Sequence, residues 1–163
     1  TKANEFKQKI KTIGKTDSDA DKEAQKFAEQ GKFPDRELLK ARLLNDGGYH
    51  EQSLNLLLSM KNKRFASFEE QLEYTYRLAR VYDDLNQDDK ALLYYDRTIA
   101  DGRTSTKYFA ARAALQAGYL YERKGQKAKA LNYFQQVLDM DDHDYKNSLD
   151  QRAKSGINRL NGS

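Results

Sequence analysis

Leu78-Ala79-x-x-Tyr82 followed by Ala91-x-x-x-Tyr95 is answered by Ala117-Gly118-x-x-Tyr121 followed by Ala130-x-x-x-Phe134. A looser copy, Ala41-x-x-Leu44 then Ser53-x-x-x-Leu57, precedes both. Aligning the small residues Ser53, Ala91 and Ala130 spaces the copies by 38 and 39 residues. A repeat of that length is one supersecondary unit that cannot bury its apolar face alone, so the pattern predicts stacked helical hairpins. Two antiparallel helices approach closely only where side chains are small, here Ala79 or Gly118 against Ala91 or Ala130. Tyr82, Tyr95, Tyr121 and Phe134 fill the wider gaps and reach toward the next hairpin.

The composition agrees with an array. Across 163 residues, 38% are hydrophobic and 33% charged, with a mean hydropathy of -0.99. That is wet for a compact globule and suits a thin solenoid whose units keep much of their surface in water. Disorder is the competing reading, but eleven tyrosines and seven phenylalanines at helical spacing argue against it. One proline, nine glycines mostly at expected helix ends, and no period-two segment predict an all-α chain.

A formal net charge of +4 and a pI near 9.1 admit nucleic acid or an anionic membrane without specifying either. A solvated, lysine-rich helical surface is the plainer reading. Cysteine is absent, which excludes disulfides, iron–sulfur clusters and thiolate zinc sites but leaves the compartment open. No apolar run is long enough for a signal peptide or a membrane span. The chain opens at Thr1 without methionine, so a mature form or a piece cut from a longer protein is expected.

Walking along the chain gives about nine helices in one array over 1–163. Residues 1–33 hold two irregular helices, with Phe6, Ile10 and Ile13 on the first and Ala20, Ala24, Phe27 and Ala28 on the second. Residues 34–61 form an eroded hairpin that turns at Gly47-Gly48 and points Leu54, Leu57 and Leu58 inward. A hairpin over 67–102 opens on the capping box Ser67-x-x-Glu70, with Asp88 capping its second helix. The hairpin over 104–142 is expected to start at a Thr104 or Thr106 cap and to turn at Gly125. A last helix over 144–161, capped by Asp144, carries Tyr145, Leu149, Ala153, Ile157 and Leu160 on one stripe.

On these residues the chain resembles the tetratricopeptide repeat family. The hairpin over 104–142 matches through Gly118, Tyr121, Gly125, Ala130 and Phe134, departing at Ala114, Ala117 and Asp142. The 67–102 hairpin keeps Leu78, Tyr82, Ala91 and Tyr95 but has Ala79 and Thr75 where the family has glycine and an aromatic. The 34–61 unit keeps mainly Ala41, Gly48, Ser53 and its leucines. The resemblance implies a right-handed superhelical solenoid of hairpins, residues 144–161 being a solubilising C-terminal cap helix. Residues 16–49 also resemble parts of larger bacterial repeat proteins of the cell envelope, which implies the C-terminal part of such a protein.

Chemistry is sparse. His50 reads as an exposed turn residue. His143, within Asp139-Met140-Asp141-Asp142-His143-Asp144, is the nearest thing to a metal cluster, yet the run coincides with a helix end and a helix start. The run Asp17-Ser18-Asp19-Ala20-Asp21 lacks the glycine and glutamate of a calcium loop and reads as capping. No phosphate loop, nucleophile elbow or paired-histidine motif occurs. Neither catalysis nor a cofactor nor a metal is expected.

The resemblance implies that the first helix of each hairpin lines a concave groove for an extended peptide or a partner helix. Helical spacing places Leu38, Arg42, Tyr76, Arg77, Arg80, Arg112, Tyr119 and Arg123 there. Guanidinium groups grip carboxylates in a bidentate way and tyrosines add flat contact area, so an acidic ligand fits. Asp83, Asp84, Glu73 and Glu122 could instead neutralise these arginines within the face. The lysine and asparagine set with which some family members hold a C-terminal carboxylate is not reproduced: Leu38, Arg42, Arg77 and Gln116 stand at those places, and Arg112 alone is compatible.

The first expectation is therefore a non-catalytic scaffold for another protein or peptide, acidic or mixed in charge. RNA or another polyanion is the alternative, against which stands the small number of well-matched repeats. A third reading is architectural, with docking or self-association through an open N-terminal face.

Overall fold

The structure, a computed structural model, describes residues 35–162, which fall almost wholly in one compact unit beginning at Glu37. Seven helices form in this stretch: α1 (Arg36–Asp46), α2 (His50–Ser59), α3 (Phe68–Asp84), α4 (Asp88–Gly102), α5 (Phe109–Arg123), α6 (Lys127–Asp139) and α7 (Lys146–Asn161). No strand occurs among the described residues. The two helices expected before Gly31, and the calcium-like run at 17–21, lie outside them.

The hairpins are built from one turn, used three times. Gly48, Asn86 and Gly125 take left-handed φ values of 87°, 59° and 71° just past α1, α3 and α5. Behind each, the next residue's N–H closes back on the helix: Tyr49 to the Leu44 carbonyl (2.8 Å), Gln87 to that of Tyr82 (2.9 Å), and Gln126 to that of Tyr121 (3.0 Å). A second bond from Gly48, Asn86 and Gly125 to the carbonyls of Asn45, Asp83 and Glu122 completes a Schellman motif each time. The eroded first unit thus keeps its turn although Leu44 and Leu57 stand where the later units have aromatic rings. Its helices also touch where Ser53 Oγ donates to the Ala41 carbonyl at 2.6 Å.

Helix α3 pairs with α4 and α5 with α6, while α4 packs on α5 and α6 on α7. The first helices of successive hairpins also touch, α3 on α5 and α5 on α7. This is the adjacency of a helical repeat solenoid, in which α3, α5 and α7 share one layer and α4 and α6 the other. Tyr74 ties α3 to the preceding unit, its hydroxyl donating to the Leu57 carbonyl at 2.7 Å.

Helix starts depart from several expectations. Ser67 caps α3 as expected, its Oγ accepting from the Glu70 N–H at 3.1 Å, but Glu70 returns its bond to the Ala66 N–H rather than to that of Ser67. Asp88 lies inside the first turn of α4, behind Gln87, and acts there on the helix dipole without capping. Neither Thr104 nor Thr106 caps α5, which begins at Phe109, while Ser105 Oγ accepts from the Lys107 N–H in the linker. Asp144 does not cap α7 either. Tyr145 stands at that cap in a left-handed conformation (φ 61°), and its ring packs edge-on against Tyr108 at 5.3 Å. Aromatic packing at the joint has won over side-chain capping. Leu58, expected inward, is exposed, because Leu57 takes the core side of α2.

The core is centred on Tyr95 and Phe134, equivalent residues of α4 and α6 and both fully buried. Phe134 sits between two glycines. A Cβ on Gly118 of α5 would lie 2.5 Å from one edge of its ring, and a Cβ on Gly156 of α7 2.6 Å from the other. These glycines let three helices close on one aromatic ring. On the outer edge of each hairpin a second aromatic pair recurs. Tyr82 stacks on Tyr94 and Tyr121 on Tyr133, with Lys90 and Lys129 placed over the first ring of each pair.

Candidate interaction face

Positions i, i+4, i+7 and i+11 of a helix form one stripe. On α3 that stripe is Glu73, Arg77, Arg80 and Asp84; on α5 it is Arg112, Gln116, Tyr119 and Arg123. On α7 it is Ser148, Arg152, Ser155 and Arg159, in step with the others although the spacing has shortened from 39 residues to 36. All are half-buried or exposed, and bonds between neighbouring helices join the stripes into one face. Arg80 donates from α3 to Gln116 Oε1 on α5 at 3.0 Å, and Arg123 from α5 to Asp83 Oδ1 on α3 at 2.9 Å. The formal charge is balanced along α3 and is +2 on each of the α5 and α7 stripes.

Arg77, Arg80, Arg112, Tyr119 and Arg123 fall on this face. Leu38 and Tyr76 do not: they are 0% and 2% exposed, with Tyr76 packed on Tyr95 and Phe109. Arg42, at the place on α1 that Arg80 takes on α3, is 17% exposed and lies 3.9 Å from Asp46 on its own helix. The missed members are Gln116, Ser148, Arg152, Ser155 and Arg159. The signal for the last four is the stripe spacing on α7, hidden by taking that helix as a cap alone.

The carboxylates on and beside the face are engaged with the arginines. Glu73 accepts from Arg77 Nε and Nη2 at 3.3 and 3.2 Å, and Asp84 from Arg80 at 3.5 Å. Glu122 takes Arg159 in a two-pronged grip, Nε to Oε2 at 3.1 Å and Nη2 to Oε1 at 2.9 Å. Each guanidinium on Arg77, Arg112 and Arg159 also lies over a tyrosine ring, those of Tyr76, Tyr108 and Tyr119 respectively. Pairing within the face is thus the arrangement the free protein adopts.

Asp83 is the most enclosed of these acids, its side chain 5% exposed. It accepts from the Tyr95 hydroxyl at 2.7 Å, from Arg123 at 2.9 Å and from Arg80 at 3.5 Å, so three helices meet on one carboxylate. On the far side Asp84 accepts from Asn45 Nδ2 at 2.8 Å, and His50 Nδ1–H donates to Asn45 Oδ1 at 2.6 Å. His50 is therefore a half-buried member of this network rather than an exposed turn residue. His143 is buried, with Nδ1–H donating to the Asp144 carbonyl at 2.9 Å. Among the described residues no three His, Asp or Glu side chains gather in a metal-binding group.

Burial above all, with the Asp83 carboxylate adding to it, pushes the Tyr95 phenol well above its ordinary range; burial, then the bond to Asp96, raises Tyr133 likewise. Unfolded tyrosines lose their protons near pH 10 while these stay protonated, so the unfolded chain binds fewer protons and stability falls as pH rises past that point. We expect thermal melts to hold steady from neutrality to about pH 9.5 and to fall steeply above it. Tyr95→Phe should flatten that alkaline slope, and an unchanged slope would contradict the assignment.

Two sequence models of the tetratricopeptide repeat match the chain, at residues 75–106 and 111–144. The chain is a tetratricopeptide repeat protein. The matches cover α3 with α4 and α5 with α6, the hairpins that carry the Tyr95 and Phe134 cores. In this tetratricopeptide repeat protein the second match runs to residue 144, short of α7, so the α7 stripe lies beyond the repeats recognised by sequence. No curated protein and no solved structure matches the chain. Among the described residues no helix is long and apolar enough to cross a membrane. Tetratricopeptide repeats generally mediate protein–protein interaction, and the family is typically a non-enzymatic scaffold.

Proposed function

We propose that the chain is a non-catalytic scaffold that holds a peptide segment or partner helix of acidic or mixed charge against the face shared by α3, α5 and α7. The observation that carries this reading is the three-helix stripe. Its polar, arginine-rich positions, with the Tyr119 ring among them, stay accessible while the opposite sides of the same helices are buried. Arginine and tyrosine combine charge-assisted bonding with rigid contact area, as binding hot spots do. The charge gradient gives the face a polarity, with the acidic end of a ligand over α5 and α7.

Selection from a random peptide library tests this. Bound peptides should be enriched in aspartate and glutamate. Reversing Arg112, Arg152 and Arg159 to Glu together should weaken their binding at least tenfold, with helicity by circular dichroism retained. Reversing Lys127 and Lys129 on α6 should leave it within about twofold. Equal loss in both variants would reject the face, as would selected peptides without acidic residues. Tight, salt-sensitive binding of single-stranded RNA in place of peptide would favour the polyanion alternative.

A further inference from the structure

The two inter-repeat clamps are built alike and fastened differently. Asp83 near the end of α3 is gripped by Arg123 of α5; Glu122, in the same place on α5, is gripped by Arg159 of α7. At the first clamp the Tyr95 hydroxyl and Arg80 also hold the acid, and the carboxylate is buried. At the second, Phe134 stands where Tyr95 stood and has no hydroxyl to offer. Glu122 is 24% exposed there and Arg159 51%. The first is a structural joint, whereas the second is an ion pair open to water, of a kind that contributes little to stability.

The second clamp also borders a cavity of about 350 Å³ between α5 and α7. Its wall is the Tyr119 ring on one side and Ser148, Gln151, Arg152, Ser155 and Arg159 on the other. The Arg159 guanidinium, 6.0 Å from the centre of the Tyr119 ring, belongs to both the clamp and the cavity. A volume of this size takes one extended side chain with its backbone, and hydroxyls, an amide and guanidinium groups suit a carboxylate.

We infer that the cavity between α5 and α7 is a carboxylate subsite whose Arg159 is held by Glu122 in the free protein. An aspartate or glutamate side chain of a bound peptide replaces Glu122 on Arg159. The helix read from sequence as a solubilising cap is then a wall of the binding site. Glu122 is thereby an internal competitor for an acidic side chain that enters the cavity. This rests on the proposed groove and assigns its partner chemistry and its internal competitor.

The test is titration of the full chain with an end-capped hexaglutamate peptide, comparing wild type with Glu122→Gln and Arg159→Gln. Removing the competitor should tighten binding about three- to tenfold, and removing the guanidinium should weaken it about tenfold. Uncapped hexaglutamine, which offers only a terminal carboxylate, should bind no variant, and binding by it would move the subsite to chain ends and overturn the side-chain assignment. Equal affinity of all three proteins for hexaglutamate would overturn the subsite and leave the groove standing. Failure of hexaglutamate on all three, with library peptides still bound, would do the same. If neither probe bound, the groove would fall as well. Oligouridylate binding that followed the same variant order would overturn the peptide assignment.

Discussion

Phe134→Ala should remove about 3–5 kcal/mol of stability, a fall in Tm of roughly 10–20 °C. The ring is fully buried and is touched from both edges by helix backbones, at Gly118 and Gly156. The surrounding elements cannot collapse into the vacated space without moving two helices, which puts the cost high in the range for aromatic truncation. The glycines make the claim sharper. In the native background Gly118→Ala should cost about 1–3 kcal/mol, because the ring cannot retreat from the new methyl group without meeting Gly156. In the Phe134→Ala background the same substitution should cost nothing or stabilise, since the methyl then fills the cavity. That reversal, read by denaturant melts of the four proteins, is a coupling that propensity alone cannot produce. Additive effects would mean that the ring does not sit between the glycines.

The second expected result concerns Asp83. Its replacement by Ala should cost about 1–3 kcal/mol, although most substitutions at the polar end of an inner helix are close to neutral. The loss arises because the Tyr95 hydroxyl is buried and would have no acceptor, while Arg80 and Arg123 would lose their shared partner. Asp83→Asn should be milder, since an amide oxygen still accepts from Tyr95. Combining Asp83→Ala with Tyr95→Phe should recover part of the loss, because no orphaned hydroxyl remains. If Asp83→Ala and Asp83→Asn were equally destabilising, charge rather than the hydroxyl bond would be the source.

Much of this was legible in the sequence, and the misses have two causes. The echo between Leu78-Ala79-x-x-Tyr82 and Ala117-Gly118-x-x-Tyr121 located the hairpins and their turns, because small residues at a fixed period have one packing explanation. It did not locate the rotation of each helix within about one residue. Tyr76 and Leu38 were therefore assigned to the face when they point into the core. One residue of uncertainty, about 100° of rotation, is harmless to a fold and decisive for a surface. The caps expected at Asp88, Thr104, Thr106 and Asp144 fail for another reason: α4 starts from the preceding Schellman turn, α5 and α7 start at Tyr108 and Tyr145, whose rings pack together, and local side-chain capping is secondary.

The face shows the same division. Residue types alone suggested a face of arginines and tyrosines, but whether those arginines meet a neighbouring acid depends on how α3, α5 and α7 are staggered. The shortened step from Arg123 to Arg159 brings the last arginine onto Glu122, as Arg123 meets Asp83. One hydroxyl separates the two clamps, Tyr95 against Phe134. That difference was visible in the sequence, but its meaning required the positions of the acids.

The central claim is that the α3–α5–α7 face is where a ligand sits. Amide and arginine side-chain chemical-shift mapping during titration with an acidic library-selected peptide tests it most directly. The largest shifts are expected at Gln116, Tyr119, Ser155 and the Arg159 guanidinium, with little change at Tyr94, Tyr133 and Lys129 on the opposite edge. Shifts concentrated on the Tyr82–Tyr94 and Tyr121–Tyr133 stacks, with Arg159 silent, would contradict it.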